Sequence, residues 1–81
     1  MDKETFVVGM SFDSQDVALL VQKASQFKSH ISIVIDEKTA NAKSIMGLFS
    51  IELQGGMTVT IVAAGEDSLE AIATLRHVLS R

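Results

Sequence analysis

Period-2 alternation of apolar residues sets the tightest limit on what this chain can fold into. Phe6, Val8, Met10 and Phe12 alternate with Thr5, Val7, Gly9 and Ser11, Ile31, Ile33 and Ile35 with Ser32 and Val34, and Val59, Ile61 and Ala63 with Thr58, Thr60 and Val62. Each stretch predicts a strand with one covered face, because successive side chains of a strand point to opposite sides. The covering layer must come from the segments between them.

Those segments carry helical spacing. Asp13-Ser14-Gln15-Asp16 offers capping side chains before a stripe of Val17, Leu20, Val21, Ala24 and Phe27, which predicts a helix from about Ser14 to Phe27. Asp36-Glu37-Lys38-Thr39 reads as a polar turn leading to a short strand near Thr39 to Ala42. Ser44 can cap a helix of about two turns in which Ile45, Leu48 and Phe49 share a face. After the break at Gly55-Gly56 and the strand at Thr58, Asp67 and Glu70 have capping-box spacing ahead of Ile72, Leu75, Val78 and Leu79. The order is β-α-β-β-α-β-α. One helical layer on one face of an antiparallel or mixed sheet, an open-faced α+β sandwich, follows from strands whose other face leans polar.

Composition narrows the functions. Eighty-one residues, 47% of them hydrophobic, with a net charge of −3, make a single small domain, residues 1–81, that buries enough surface to fold without disulfides, since cysteine is absent. No apolar run approaches the ~18 to 20 residues of a spanning helix, and Met1-Asp2-Lys3-Glu4 opens into a strand pattern instead of a signal peptide, so a cytoplasmic protein away from membranes is expected. Seven Lys+Arg against ten Asp+Glu, with no basic run and only four aromatic residues, argue against direct nucleic-acid binding. A chain this short has little room for a deep catalytic cleft, so a site must lie on the surface or in a shallow groove. His30 and His77 have no cysteine or second histidine at a ligand spacing and read as surface residues, leaving no metal site or cofactor indicated.

Ala18-Leu19-Leu20-Val21-Gln22-Lys23-Ala24-Ser25, Asn41-Ala42-Lys43-Ser44-Ile45-Met46-Gly47-Leu48 and Ala64-Gly65-Glu66-Asp67 closely resemble the HPr family, the histidine-containing phosphocarrier proteins of the sugar phosphotransferase system. These segments fall in family order across nearly the whole chain. The resemblance implies a four-stranded antiparallel sheet under three helices. It fails at the family's chemistry: where the family has Gly-x-His-Ala-Arg-Pro, this chain reads Ser11-Phe12-Asp13-Ser14-Gln15-Asp16. Asp13 stands at the phosphohistidine position and Gln15 at the arginine position, so the imidazole nucleophile and its cationic partner are both gone. The expectation is a noncatalytic protein that has lost histidine phosphocarrier activity.

A second family site is retained. In HPr and in its catabolite-repression paralog, which also lacks the active histidine, an ATP-dependent kinase phosphorylates the serine that matches Ser44, and both then bind a LacI-type catabolite control regulator. The resemblance therefore implies an HPr-type serine kinase, such a regulator or enzymes of the phosphotransferase system as partners, for a monomer or weak homodimer. It also places partner contacts at Ile45, Met46, Phe49 and Gln15. Phosphate at a helix N-cap meets free N–H groups and the helix dipole, and adds about −1.5 to −2 of charge beside an apolar patch. Each residue has a plainer reading as well. Ser44 can be only an N-cap, Ile45, Met46 and Phe49 can be core, and Asp13 and Asp16 can be caps that complement the dipole. Two other functions stand beside the regulatory one: a degenerate HPr domain binding an unrelated partner without phosphorylation, and residual phosphotransfer on Asp13, whose acyl phosphate would hydrolyse readily.

Overall fold

A computed structural model describes all 81 residues. Four strands form one antiparallel sheet, β1 (Asp2–Val7), β2 (His30–Ile35), β3 (Lys38–Asn41) and β4 (Thr58–Ala64), in the spatial order β1-β4-β2-β3. Three helices, α1 (Ser14–Ala24), α2 (Ile45–Ile51) and α3 (Ser68–Leu79), supply the covering layer. The result is the open-faced α+β sandwich, and no helix is long and apolar enough to cross a membrane.

Registers explain the layering. Ile33 faces Ile61 across β2 and β4, Ile31 faces Ala63, and Phe6 faces Val59 across β1 and β4. All of these are buried, and Leu20, Leu48, Leu75 and Leu79 from the helices complete a continuous core with them. The alternate residues, including Lys3, Thr5, Thr58 and Thr39, are exposed on the other face, where Thr5 and Thr60 hydroxyls meet at 2.8 Å. β2 and β3 join through Asp36 and Glu37, and Asp36 takes the left-handed φ of 54° that a two-residue hairpin turn demands.

The first strand differs from the expectation of Thr5 to Phe12. It starts at Asp2 and stops at Val7, leaving Met10 exposed and Phe12 half-buried. Its polar opening residues have partners that periodicity does not reveal: the Ser68 hydroxyl donates to Asp2, and Glu4 pairs with Arg76, whose guanidinium lies 5.4 Å from the Phe6 ring centre. Its end is set by the Gly9 N–H, which leaves the sheet to donate to the Leu79 carbonyl at 2.9 Å. A Cβ at Gly9 would stand 2.0 Å from the Arg81 carbonyl oxygen, so only glycine lets the two backbones approach this closely. Helix α1 likewise ends at Ala24, short of Phe27. The Gln26 and Phe27 N–H groups instead donate three residues back, to Lys23 and Ala24, tightening the chain out of α-helical geometry.

Asp67 and Glu70 do not form the expected capping box. Asp67 sits at the N-cap of α3 without a side-chain bond into that helix. Its carboxylate instead accepts from the Lys28 N–H at 2.8 Å, the Ser29 N–H at 2.9 Å and the Ser29 hydroxyl. Those bonds, the hydroxyl's first, hold its carboxyl below the ordinary carboxylate range. The connection from α1 to β2 is thereby fastened to the turn from β4 to α3, with Ser29 fully buried against Gly65.

Because the Asp67 pKa is depressed in the fold, the stabilisation is present above the unfolded carboxylate value of about 3.9 and is lost as pH falls through the folded value. Wild type should therefore be more stable than Asp67→Asn near neutrality, with the gap closing below about pH 4 in urea titrations across pH. Gly65, at φ +151°, would place a Cβ 2.6 Å from the Ser29 hydroxyl oxygen, whereas Gly56, at φ +92°, has nothing within 4 Å. Gly65→Ala should cost about 1 to 3 kcal/mol, and Gly56→Ala distinctly less, by the same measurement.

Candidate functional site

The start of α1 is built by two aspartates. Asp13 is extended at the N-cap, and its Oδ1 accepts from the Asp16 N–H at 2.9 Å while Asp16 Oδ2 accepts from the Asp13 N–H at 3.1 Å. This reciprocal capping box satisfies two donors that a helix N-terminus otherwise leaves open. The Asp16 N–H is the chief reason the exposed Asp13 carboxyl lies below the ordinary carboxylate range, with the Gln15 N–H adding to it. Asp13 and Gln15 both point into solvent.

Ser44 is half-buried at the N-cap of α2, where its Oγ accepts from the Gly47 N–H at 3.1 Å. The preceding turn is fixed by its own bonds: the Lys43 N–H donates to Asn41 Oδ1 at 2.9 Å, and Lys43 Nζ donates to the Phe27 carbonyl at 2.7 Å. Of the apolar residues that follow, Leu48 and Ile51 turn inward, while Ile45 and Phe49 are each 44% exposed and Met46 is 80% exposed. A seven-residue helix over a sheet can bury only one stripe, so the rest forms an apolar surface.

The loop that leads into α1 and the end of α2 face one another through a groove. Ser11, Phe12 and Val17 from the α1 side meet Phe49, Glu52 and Gln54 from the α2 side around a depression of about 370 Å³. Phe49 belongs both to this groove and to the apolar surface beside Ser44. Ser44 itself lies at the other end of α2, roughly 8 Å along the helix from Phe49. His30 and His77 are exposed on separate elements. Periodicity missed the groove because its walls come from the half-buried Phe12 and from Leu53, which belong to no helix or strand. It also missed the Lys43 and Asp67 bonds, which join residues 16 and 39 positions apart.

Comparison with known proteins settles the lineage. The family profile described as PTS HPr component phosphorylation site matches residues 12–81. The chain belongs to the HPr family. It is 45% identical over 62 residues to the HPr-like protein Crh of Halalkalibacterium halodurans and of Bacillus subtilis, spanning 76% of this chain and 74% and 73% of those proteins. The crystal structure of phosphocarrier protein HPr from Bacillus anthracis superposes with a TM-score of 0.92 at 35% identity, covering 96% of this chain and 95% of that one. A crystal structure of Bacillus subtilis Crh, described as a swapped dimer, superposes with a TM-score of 0.78 at 39% identity, covering 91% and 83%. This is thus an HPr-like protein of the phosphotransferase-system family with catabolite-repression relatives, and HPr itself is not a catalyst.

Within this HPr-like fold the Asp13 carboxyl should titrate below about 3.9 when followed by carboxyl NMR shifts. Its stabilisation of the α1 start should be retained as pH falls toward about 4 and lost only below. Asp13→Ala, which removes the acceptor for the Asp16 N–H, should speed exchange of that amide while leaving the core amides of β2 and β4 protected.

Proposed function

We propose that this protein is a noncatalytic HPr-like regulator, switched by phosphorylation of Ser44 and acting by protein–protein binding in the cytoplasm. The observation that carries this is the pairing, on one short helix, of a capping Ser44 with exposed Ile45, Met46 and Phe49. A kinase would transfer the γ-phosphoryl group of ATP to Ser44 Oγ, releasing ADP and the hydroxyl proton. The phosphate oxygens can take over as acceptors for the Gly47 N–H, so α2 need not move. What changes is the charge beside the apolar surface, which a partner reads through arginine or lysine.

Asp13 and Gln15, at the positions of the family histidine and arginine, support loss of the histidine phosphocarrier activity. A carboxylate engaged in a capping box is a poor substitute for an imidazole that must accept and release a phosphoryl group. An HPr-type serine kinase and a LacI-type catabolite control regulator are the proposed partners, with residues 1–81 acting as one domain, a monomer or weak homodimer.

Incubation with an HPr-type serine kinase and ATP should add one phosphate by intact-mass spectrometry, absent in Ser44→Ala. That variant loses an N-cap worth about 1 kcal/mol, so its folding is checked by circular dichroism. No added phosphate, under conditions that modify an authentic HPr, would overturn the switch and leave a binding protein that works without it.

A further inference from the structure

Glycine weakens the interior of a helix, yet Gly47 is the third residue of α2. The backbone there does not require it, since the glycines at positive φ are Gly56 and Gly65. Nor does the core: a Cβ at position 47 would meet Ala40 Cβ at 3.6 Å and Ser44 Cβ at 3.5 Å, both ordinary van der Waals contacts. The tight approach is to Ser44 Oγ, at 3.3 Å. The missing side chain therefore leaves room beside the same hydroxyl oxygen that accepts from the Gly47 N–H.

A bare hydroxyl has little use for that room, because it needs to give by only a few tenths of an ångström to admit a methyl group. A phosphoryl group has more, since it surrounds Oγ with three further oxygens that seek donors. The adjacent cation is already committed: Lys43 Nζ donates to the Phe27 carbonyl at 2.7 Å, and no Lys or Arg occurs from Ser44 to Gly65. The donor that the fold already aims at Ser44 is the Gly47 N–H, and the space beside it is what a side chain at position 47 would occupy. We infer that Gly47 is a positioning residue for phosphate on Ser44: its absent side chain reserves the space in which a phosphate oxygen accepts from the Gly47 N–H. The inference rests on Ser44 being the switch, and it names the residue that decides whether the phosphate is seated on α2 or turned out into solvent.

The test uses the full chain with either serine or synthetically incorporated phosphoserine at position 44, each as wild type and as Gly47→Ala. In urea titrations Gly47→Ala should leave the serine form at least as stable as wild type, through better helix propensity, and should lower the folding constant of the phosphoserine form about five- to tenfold. Followed by phosphorus NMR, the wild-type phosphate should ionise below the ordinary second pKa of about 6, with the Gly47 amide proton shifting along the same curve, and Gly47→Ala should return that pKa toward about 6. Equal effects of Gly47→Ala on the two forms, a serine form destabilised by Gly47→Ala, or a wild-type Gly47 amide that does not follow the phosphate ionisation would each overturn the inference. Failure of an HPr-type kinase to modify Ser44 would instead overturn the switch alone, because none of these measurements passes through a kinase.

Discussion

The ladder between β2 and β4 is the contact on which the rest of the molecule depends. Those strands are far apart in sequence, yet their register, Ile33 on Ile61 and Ile31 on Ala63, fixes which face of the sheet is apolar and so where every helix must lie. A slip of one residue would turn Ser32, Val62 and Thr60 inward and put the isoleucines in water. β1 and β3 then add to the outer edges, and each connection that reaches β2 or β4 through a helix lays that helix over the same apolar layer. The positions of Asp13 and Ser44 at helix starts are consequences of this arrangement, since both connections deliver a helix N-terminus at the margin of the covered face.

Strands and helices that bury one side were legible in the sequence because burial is periodic, and the period survives in the order of residues. The alternation from Ile31 to Ile35 and from Thr58 to Ala63 names the core side chains directly. Where the chain answers to polar or backbone partners instead, periodicity misleads. β1 begins among Asp2, Lys3 and Glu4, two of which are satisfied by Ser68 and Arg76 from α3, and it ends where Gly9 meets the end of α3. Asp67 has the spacing of a cap but is drawn to the Lys28 and Ser29 amides, which compete successfully for its carboxylate. Such long-range hydrogen bonds leave no repeat in the sequence to be read.

The site divides along the same line. That Ser44 caps α2 and that Ile45, Leu48 and Phe49 lie on one side of it follow from local spacing, whereas only the structure selects Leu48 for the core and leaves Ile45 and Phe49 exposed. The groove that joins the two helices does not follow from spacing, because it exists only where Phe12 meets Leu53 across a loop-to-loop hydrogen bond.

Asp13 answers a structural demand at the start of α1. An N-cap needs a short acceptor side chain, and aspartate meets that need while carrying a charge that suits the positive end of the helix. The capping box with Asp16 therefore secures the path into α1. The backbone donors of this turn hold the Asp13 carboxyl below the ordinary carboxylate range. What the surface then offers a partner is set by the anionic start of α1 and the exposed apolar face of α2, two features that the β2–β4 ladder holds side by side.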